Sequence, residues 1–384
     1  MIPNDASDFA HTGPGTLAGR FLRRFWQPVY RSADLVAGRP VRVQALNEYF
    51  TLYRGESGEP FLLVDRCPHR QTSLVHGWVE GDRLRCFYHG WVFDGSGQCV
   101  EQPAEKASFA AKVKVCSYPL KDSMGLIFAY LGDGEPPPFP RYPEIEEAKG
   151  DIAVSRHQVP CNYFQRVEND LDETHVHFVH RVSTKSYGLD EIPEIVVTET
   201  DYGIRREGRR SGAKTNISRT GHFMMPNISL VDLPPSPEHD YWTAQVAWRV
   251  PKDDESSITY SLRMMRPEPG RAGPPQFVAS KDRGTSALQV SEDILAGKLR
   301  IQDVDPNDPS LFVLEDNVAL AAQGRITDRA QDWLGQSDKG VILLRRLWER
   351  ELQALASGRP MKPWRRPQER MGLAVAEVTA IDAF

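Results

Sequence analysis

A chain of 384 residues, 40% hydrophobic and 26% charged, has room for two domains with sizeable cores and the composition of an ordinary soluble globular protein. Its formal net charge of -5 and isoelectric point near 6.1 exclude the overall basic footprint that nucleic-acid binding needs. No run approaches eighteen apolar residues, MIPNDASDFAHTGPG has no basic start followed by an apolar stretch, and the five cysteines form no secreted framework, so the expectation is a soluble cytoplasmic protein with no membrane partner.

Residues 1–24 read as an irregular lead ending in a short helix, with Leu17, Phe21 and Leu22 at helical spacing. From Trp26 to about Gly134, short β-type runs (PVRVQAL, YFTLYRG, FLLVDRC, GLIFAYLG) are divided by Gly, Asp and Ser clusters, the pattern of an all-β domain. Inside it, residues 67–91 carry two units, Cys67-Pro68-His69 and Cys86-Phe87-Tyr88-His89. A tight loop aims a Cys and a His this close together at one point, and Pro68 and Gly90 suit such loops. Two thiolates on one iron and two neutral imidazoles on a second describe a high-potential iron-sulfur centre. A structural zinc accepts the same four donors, but zinc fingers usually pair Cys with Cys and His with His, whereas here each loop carries one of each.

Gly132-Asp133-Gly134 and Pro136-Pro137-Pro138 end the β region. Residues 160–181 read as a helix, and within it Asn169 to His180 hold three histidines (His175, His177, His180) and three carboxylates (Asp170, Asp172, Glu173). Ferrous iron that activates dioxygen is commonly held by two His and one carboxylate on one face, with open positions opposite. On an ideal helix His177 and His180 share a face, while His175 and His180 are separated by about 140°, so spacing alone leaves the pair open. The bland alternative is a polar helix with a core histidine. Next, EIVVTETDYGIRREGRR, HFMMPNISLVDL, YWTAQVAWRVP and SSITYSLRMMRP alternate as antiparallel strands. Pro267 to Pro275 reads as a loop, and helical spacing returns over 308–323 and 337–356. In the latter, Val341, Leu344, Leu347, Trp348 and Leu352 make an apolar face, Ser337 or Asp338 is placed to cap the start, and Arg345, Arg346, Glu349, Arg350 and Glu351 form the solvated face. The tail from Gly358 suggests a terminal helix or a subunit contact.

Cys67-x-His69 with Cys86-x-x-His89-Gly90-Trp91, followed by Asn169-x-x-Asp172-x-x-His175-x4-His180, resembles the motif pair of Rieske non-haem iron aromatic-ring-hydroxylating oxygenases, the terminal oxygenase α-subunits. The run from Gly335 to Val341 and the single-chain layout look closest to the phthalate-dioxygenase-like group. The resemblance implies an α+β protein: an all-β Rieske domain (25–135) and an α+β catalytic domain (136–384) with a central antiparallel sheet flanked by helices, of helix-grip type, on which the lead (1–24) packs. It implies a 2Fe–2S Rieske cluster on Cys67, His69, Cys86 and His89, and mononuclear Fe(II) on His175, His180 and a late carboxylate, for which the helix must end or distort between the two histidines. In FVLEDNVA (312–319) Asp316 is the choice, with Glu315 the rival and Asp303, Asp305 and Asp308 weaker ones. Asp172 and Asn169 are the implied catalytic residues, Asp172 linking His175 to a cluster histidine, His89, of a neighbouring subunit.

Phe178, Val182, Phe223, Met225, Trp248 and Met264 are candidates for the substrate pocket, although apolar residues are usually just buried. Arg205, Arg206, Arg209 and Arg210 read as an exposed strand face or, alternatively, as partners of a substrate carboxylate. No GxGxxG follows a strand and no C-x4-C-x2-C run occurs, so electrons are expected from a separate reductase of flavin or ferredoxin type. The implied function is hydroxylation or dihydroxylation of a small aromatic compound with dioxygen, by a homotrimer. The alternatives are an O- or N-demethylating monooxygenase, an electron-transfer-only Rieske protein, which needs only about a hundred residues, and a zinc hydrolase.

Overall fold

A computed structural model describes residues 5–183, 189, 191–211, 216–233, 241–265, 276–280, 284–371 and 375–378. The expected loop from Pro267 to Pro275 lies outside the described residues. The chain divides into two compact units, Leu22–Phe139 and Met1–Phe21 with Pro140–Phe384. No helix among the described residues is long and apolar enough to cross a membrane.

The first unit is all-β apart from short 3-10 turns. Val41–Ala45, Glu48–Arg54, Pro60–Val64 and Ser117–Tyr118 form one antiparallel sheet. Trp78–Glu80, Arg83–Arg85, Val92–Phe93 and Cys99–Glu101 form a second, and Gln27–Arg31 and Leu120–Ser123 flank Leu126–Ala129 in a third. Ala45 pairs with Glu48, so Leu46 and Asn47 are a two-residue hairpin loop, both at positive φ (52° and 63°), as such loops require. Asn tolerates that conformation. Leu46 does so while wholly buried, which offsets a left-handed cost of about 1–2 kcal/mol. The core of this unit, Tyr53, Leu63, Leu74, Leu84, Trp91, Phe93 and Val115, includes Cys67 and Cys86.

In the second unit the described strands form one nine-stranded sheet. Its order is Glu194–Glu199, Gly203–Ser211, Asn216–Met224, Ile228–Leu233, Thr243–Pro251, Ser257–Met264, Ile152–Val159 and Phe277–Ala279. The sheet is mixed rather than wholly antiparallel, because Phe277–Ala279 runs parallel to Ile152–Val159. The tail supplies a strand, not a helix: Val375–Val378 pairs with residues 216–219.

Alternation sorts the side chains between the two faces. Register places Arg206 opposite Gly221, Gly208 opposite Arg219, Phe223 opposite Ser229, Arg249 opposite Thr259 and Thr259 opposite His157. Arg219 reaches Glu173 and Arg249 reaches Asp170, so this is the face that meets the 162–180 segment. Glycine makes the approach possible: a Cβ on Gly208 would lie 2.5 Å from Cγ of Glu173.

The continuous helix expected over 160–181 is instead two short ones, Tyr163–Asn169 and His175–Phe178. Asn162 caps the first through the Phe164 N–H (3.0 Å). At the break the Asp172 side chain competes with the helix for the backbone, its Oδ1 accepting the N–H groups of Thr174 and His175, while Asp170 at the end of the first helix is held by Arg249 (2.7 and 2.8 Å). The helix Lys339–Ala356 buries the expected apolar face, with Trp348 packed against Phe9, Phe21 and Phe164; of the lead, residues up to Phe21 fall in this unit and those from Leu22 in the other. Two details differ. Asp338 at the helix start makes no side-chain cap but accepts the Gly335 N–H. Glu351 is buried, accepting from the Lys362 N–H, and Arg345 is tied to Glu168 and Asp332. The helix Gly284–Leu295 corresponds to no expected element.

Candidate metal centres

The two Cys/His loops are built alike, by backbone. In each, the N–H four residues on donates to the Cys carbonyl, Gln71 to Cys67 (2.8 Å) and Gly90 to Cys86 (3.0 Å). Each Cys N–H donates in turn to the carbonyl five residues on, of Thr72 or Trp91 (both 2.8 Å). Closing so tight a turn needs positive φ at the fourth position: Gly90 has φ 73° and Gln71 φ 60°. Gly90 was legible in the sequence; Gln71, in the same role, was not.

Both sulfurs are buried, and each accepts backbone N–H groups from its own loop, Cys67 from His69 and Arg70, Cys86 from Tyr88 and His89. The Cys67 thiol donates to Cys86, which together with those N–H groups brings Cys86 down to about 6. The same bond, with burial, pushes Cys67 up. The imidazoles of His69 and His89 lie with ring centroids 4.5 Å apart, and His69 stacks on Trp91 (4.4 Å). Two shielded sulfurs beside two part-exposed imidazoles fit a centre needing two thiolates and two neutral nitrogens.

The second constellation converges from distant elements. Ligand atoms of His175, His180 and Asp316 lie within 4.8 Å of one another. His175 opens the short helix, His180 lies in the turn beyond its end, and Asp316 projects from Leu311–Ala321. Because the short helix stops at Phe178, the two imidazoles approach to 5.3 Å between centroids; among the described residues His177 is not part of the group. Each imidazole is oriented from behind. His175 Nδ1 bonds to the Asp172 carbonyl (2.6 Å) and His180 Nδ1 to Glu315 (2.9 Å), which also accepts from Ser183. Both Nε2 atoms therefore face Asp316 Oδ1, at 3.6 and 3.1 Å. Such partners fix the tautomer and aim of a metal-binding imidazole. Glu315, the rival carboxylate, thus lies on the far side of His180, whose ring stacks on Phe312 (3.8 Å). Asp303 pairs with exposed Arg300, and Asp305 and Asp308 close local turns. Asn169 donates to Asp316 Oδ1 (3.2 Å).

Charge holds this site together. Burial works to raise the Asp316 carboxyl, but Arg166, His180 and His175 outweigh it and hold it well below the usual range. Burial disfavours a proton on both histidines; it prevails at His175, whereas Asp316 and Glu315 overcome it at His180 and lift that ring to about 9. A buried carboxylate oxygen and two imidazole nitrogens converging on one point suit a divalent cation, with three protein donors and open positions opposite.

Behind them, Arg206, Arg210 and Arg219 converge on the single carboxylate of Glu173, all four buried. Burial lowers these guanidiniums to about 9, 9 and 10. Only Arg205 and Arg209 of the expected exposed face are exposed, pairing with Glu207. Of the pocket candidates, Phe223 is buried on the face carrying these groups. Trp248 and Met264 point to the opposite face, by the same alternation that turns Arg249 inward; Trp248 packs on Tyr142. Met225 is buried beyond its strand end. Phe178 and Val182 are 55% and 53% exposed. Arg166, the orienting role of Glu315 and the pairing of Glu173 with Arg206, Arg210 and Arg219 are not legible in the sequence; the signals it does carry are the adjacent acids Glu315-Asp316 and the arginines of 205–210.

Residues 25–119 match the Rieske [2Fe-2S] domain. Over 94% of its length the chain is 32% identical to the 5,5'-dehydrodivanillate O-demethylase oxygenase subunit of Sphingobium sp., covering 83% of that protein. The chain belongs to the Rieske non-haem iron oxygenase family. This oxygenase is also 31% identical to the phenoxybenzoate dioxygenase subunit alpha of Ectopseudomonas oleovorans, over 90% of its own length and 84% of that subunit. Its fold is that of dicamba monooxygenase in complex with dicamba, with a TM-score of 0.65 at 22% identity, covering 88% of this chain and 100% of the other. As a Rieske oxygenase it is an oxidoreductase whose cofactors are a 2Fe–2S cluster and a mononuclear iron.

Proposed function

We propose that this enzyme is the terminal oxygenase of a Rieske system that hydroxylates an aromatic carboxylate, with electrons from a separate reductase. In this reading Cys67, Cys86, His69 and His89 hold the cluster, and His175, His180 and Asp316 hold the iron. The observation that carries it is the convergence of both Nε2 atoms on Asp316 Oδ1. When bound, the two metal centres supply electron transfer and dioxygen activation. The chain's residues supply position: the Asp172 carbonyl and Glu315 engage Nδ1 of each imidazole and so turn both Nε2 atoms towards Asp316. Asp172, whose side chain is 30% exposed, is the group through which His175 meets a cluster histidine of a neighbouring subunit in a homotrimer.

The acidic substrate class is supported by three buried guanidiniums sharing one carboxylate beside the donors, an excess of positive charge that an anion relieves, and by two relatives named for a dehydrodivanillate and a phenoxybenzoate. O-demethylation is the second reading, favoured by the 32% identity to a demethylase subunit. Dioxygen uptake by the reduced holoenzyme, screened across benzoates, methoxybenzoates and their methyl esters with product analysis, tests both. Turnover of acids over esters is expected, with formaldehyde marking demethylation. Equal turnover of acids and esters would remove the carboxylate from the proposal.

A further inference from the structure

Asp316 presents its two oxygens to different kinds of partner. Oδ1 faces His180 Nε2 and His175 Nε2 and accepts from Asn169. Oδ2 lies 3.1 Å from Nη1 of Arg166, in an ion pair whose side chains are 13% and 7% exposed. Arg166 and Asn169 are three apart on Tyr163–Asn169, so one face of that helix presents a guanidinium and an amide to the same carboxylate. Asp170, the other carboxylate that acts electrostatically on Arg166, has both oxygens engaged by Arg249.

We propose that Arg166 is a positioning residue that reserves Oδ2 of Asp316, so that Asp316 offers the mononuclear metal one oxygen instead of two. A carboxylate with both oxygens free can chelate a cation. Here the second oxygen can turn to the metal only by leaving a buried guanidinium without its anion, which is strongly unfavourable, and by giving up a charge-assisted contact. The protein then supplies three ligand atoms, and one more position stays open for small molecules than a chelating carboxylate would leave. Sharing its charge with Arg166 also makes Asp316 a weaker donor to the metal. The proposal rests on the reading of His175, His180 and Asp316 as the iron site.

A crystal structure of the native holoenzyme loaded with ferrous iron under anaerobic conditions tests it directly. One Asp316 oxygen on the metal, with the other on Arg166, is the expected result; both oxygens on the metal overturn the proposal. An iron bound elsewhere would overturn the underlying site reading instead, and with it this inference. In parallel, the electron resonance spectrum of the ferrous nitric oxide adduct should shift in rhombicity in Arg166→Gln and return towards native in Arg166→Lys, with the reduced-cluster signal unchanged as the control for folding. Should Arg166→Gln fail to fold, the native crystal structure and the Arg166→Lys spectrum still decide. Identical adduct spectra in native and Arg166→Gln proteins overturn the proposal.

Discussion

The two donor sets achieve their geometry by opposite means. Around Cys67 and Cys86 the backbone does the work, in two turns of matching hydrogen bonds that each span five residues, with the imidazoles part-exposed. Around His175, His180 and Asp316 buried charges do it: Arg166 on Asp316, Glu315 on His180, Arg249 on Asp170, and three arginines on Glu173. A site aimed by backbone turns depends on few side chains beyond its ligands. A site aimed by buried ion pairs is coupled, since removing one partner strands the other.

The largest effect expected is on metal content, where the two regions should separate cleanly. His175→Ala should lower mononuclear iron by at least about tenfold while the visible spectrum of the cluster persists, and Cys86→Ser should do the reverse. Loss of both metals in either variant, read by metal analysis and absorbance, would mean that the two sites are not independent. Next in size, Glu173→Ala removes the carboxylate that three buried guanidiniums share and should cost about 3–5 kcal/mol in denaturant unfolding. Removing Arg85, whose partners Glu80 and Glu101 are 47% and 46% exposed at the cluster hairpins, should barely move the midpoint. Comparable losses would end the contrast between the regions.

The smallest effect is a pH dependence confined to the charged sheet face. Burial first, then Arg166 and Arg249, lowers the His157 ring to about 3 from its ordinary 6.5. Its folded value is depressed, so its contribution to stability is complete above pH 6.5 and is lost as pH falls from there towards 3, at no more than about 1.4 kcal/mol per pH unit. His157→Gln should flatten that limb of the stability profile; an unchanged slope would show that other groups carry it.

How much was legible follows from the same contrast. The Cys/His donor set is local, so Cys67, His69, Cys86 and His89 stand out together in the sequence as one candidate centre, and the β-type runs around them mark the all-β region. The His pair cannot be chosen on ideal helix geometry, because the separation of about 140° holds only for a helix continuous from His175 to His180, whereas the short helix ends at Phe178, between them. Glu315 and Asp316 are neighbours about 100° apart on a helix, and their roles depend on where His180, 135 residues away in sequence, is brought against them. The alternation of Arg205, Arg206, Arg209 and Arg210 was visible in the sequence, but not which pair turns inward. Sequence by itself determined which chemical groups are present and those geometries that a single turn can enforce. Tertiary structure alone decided which face of the sheet is buried, and hence which charges must find one another away from water.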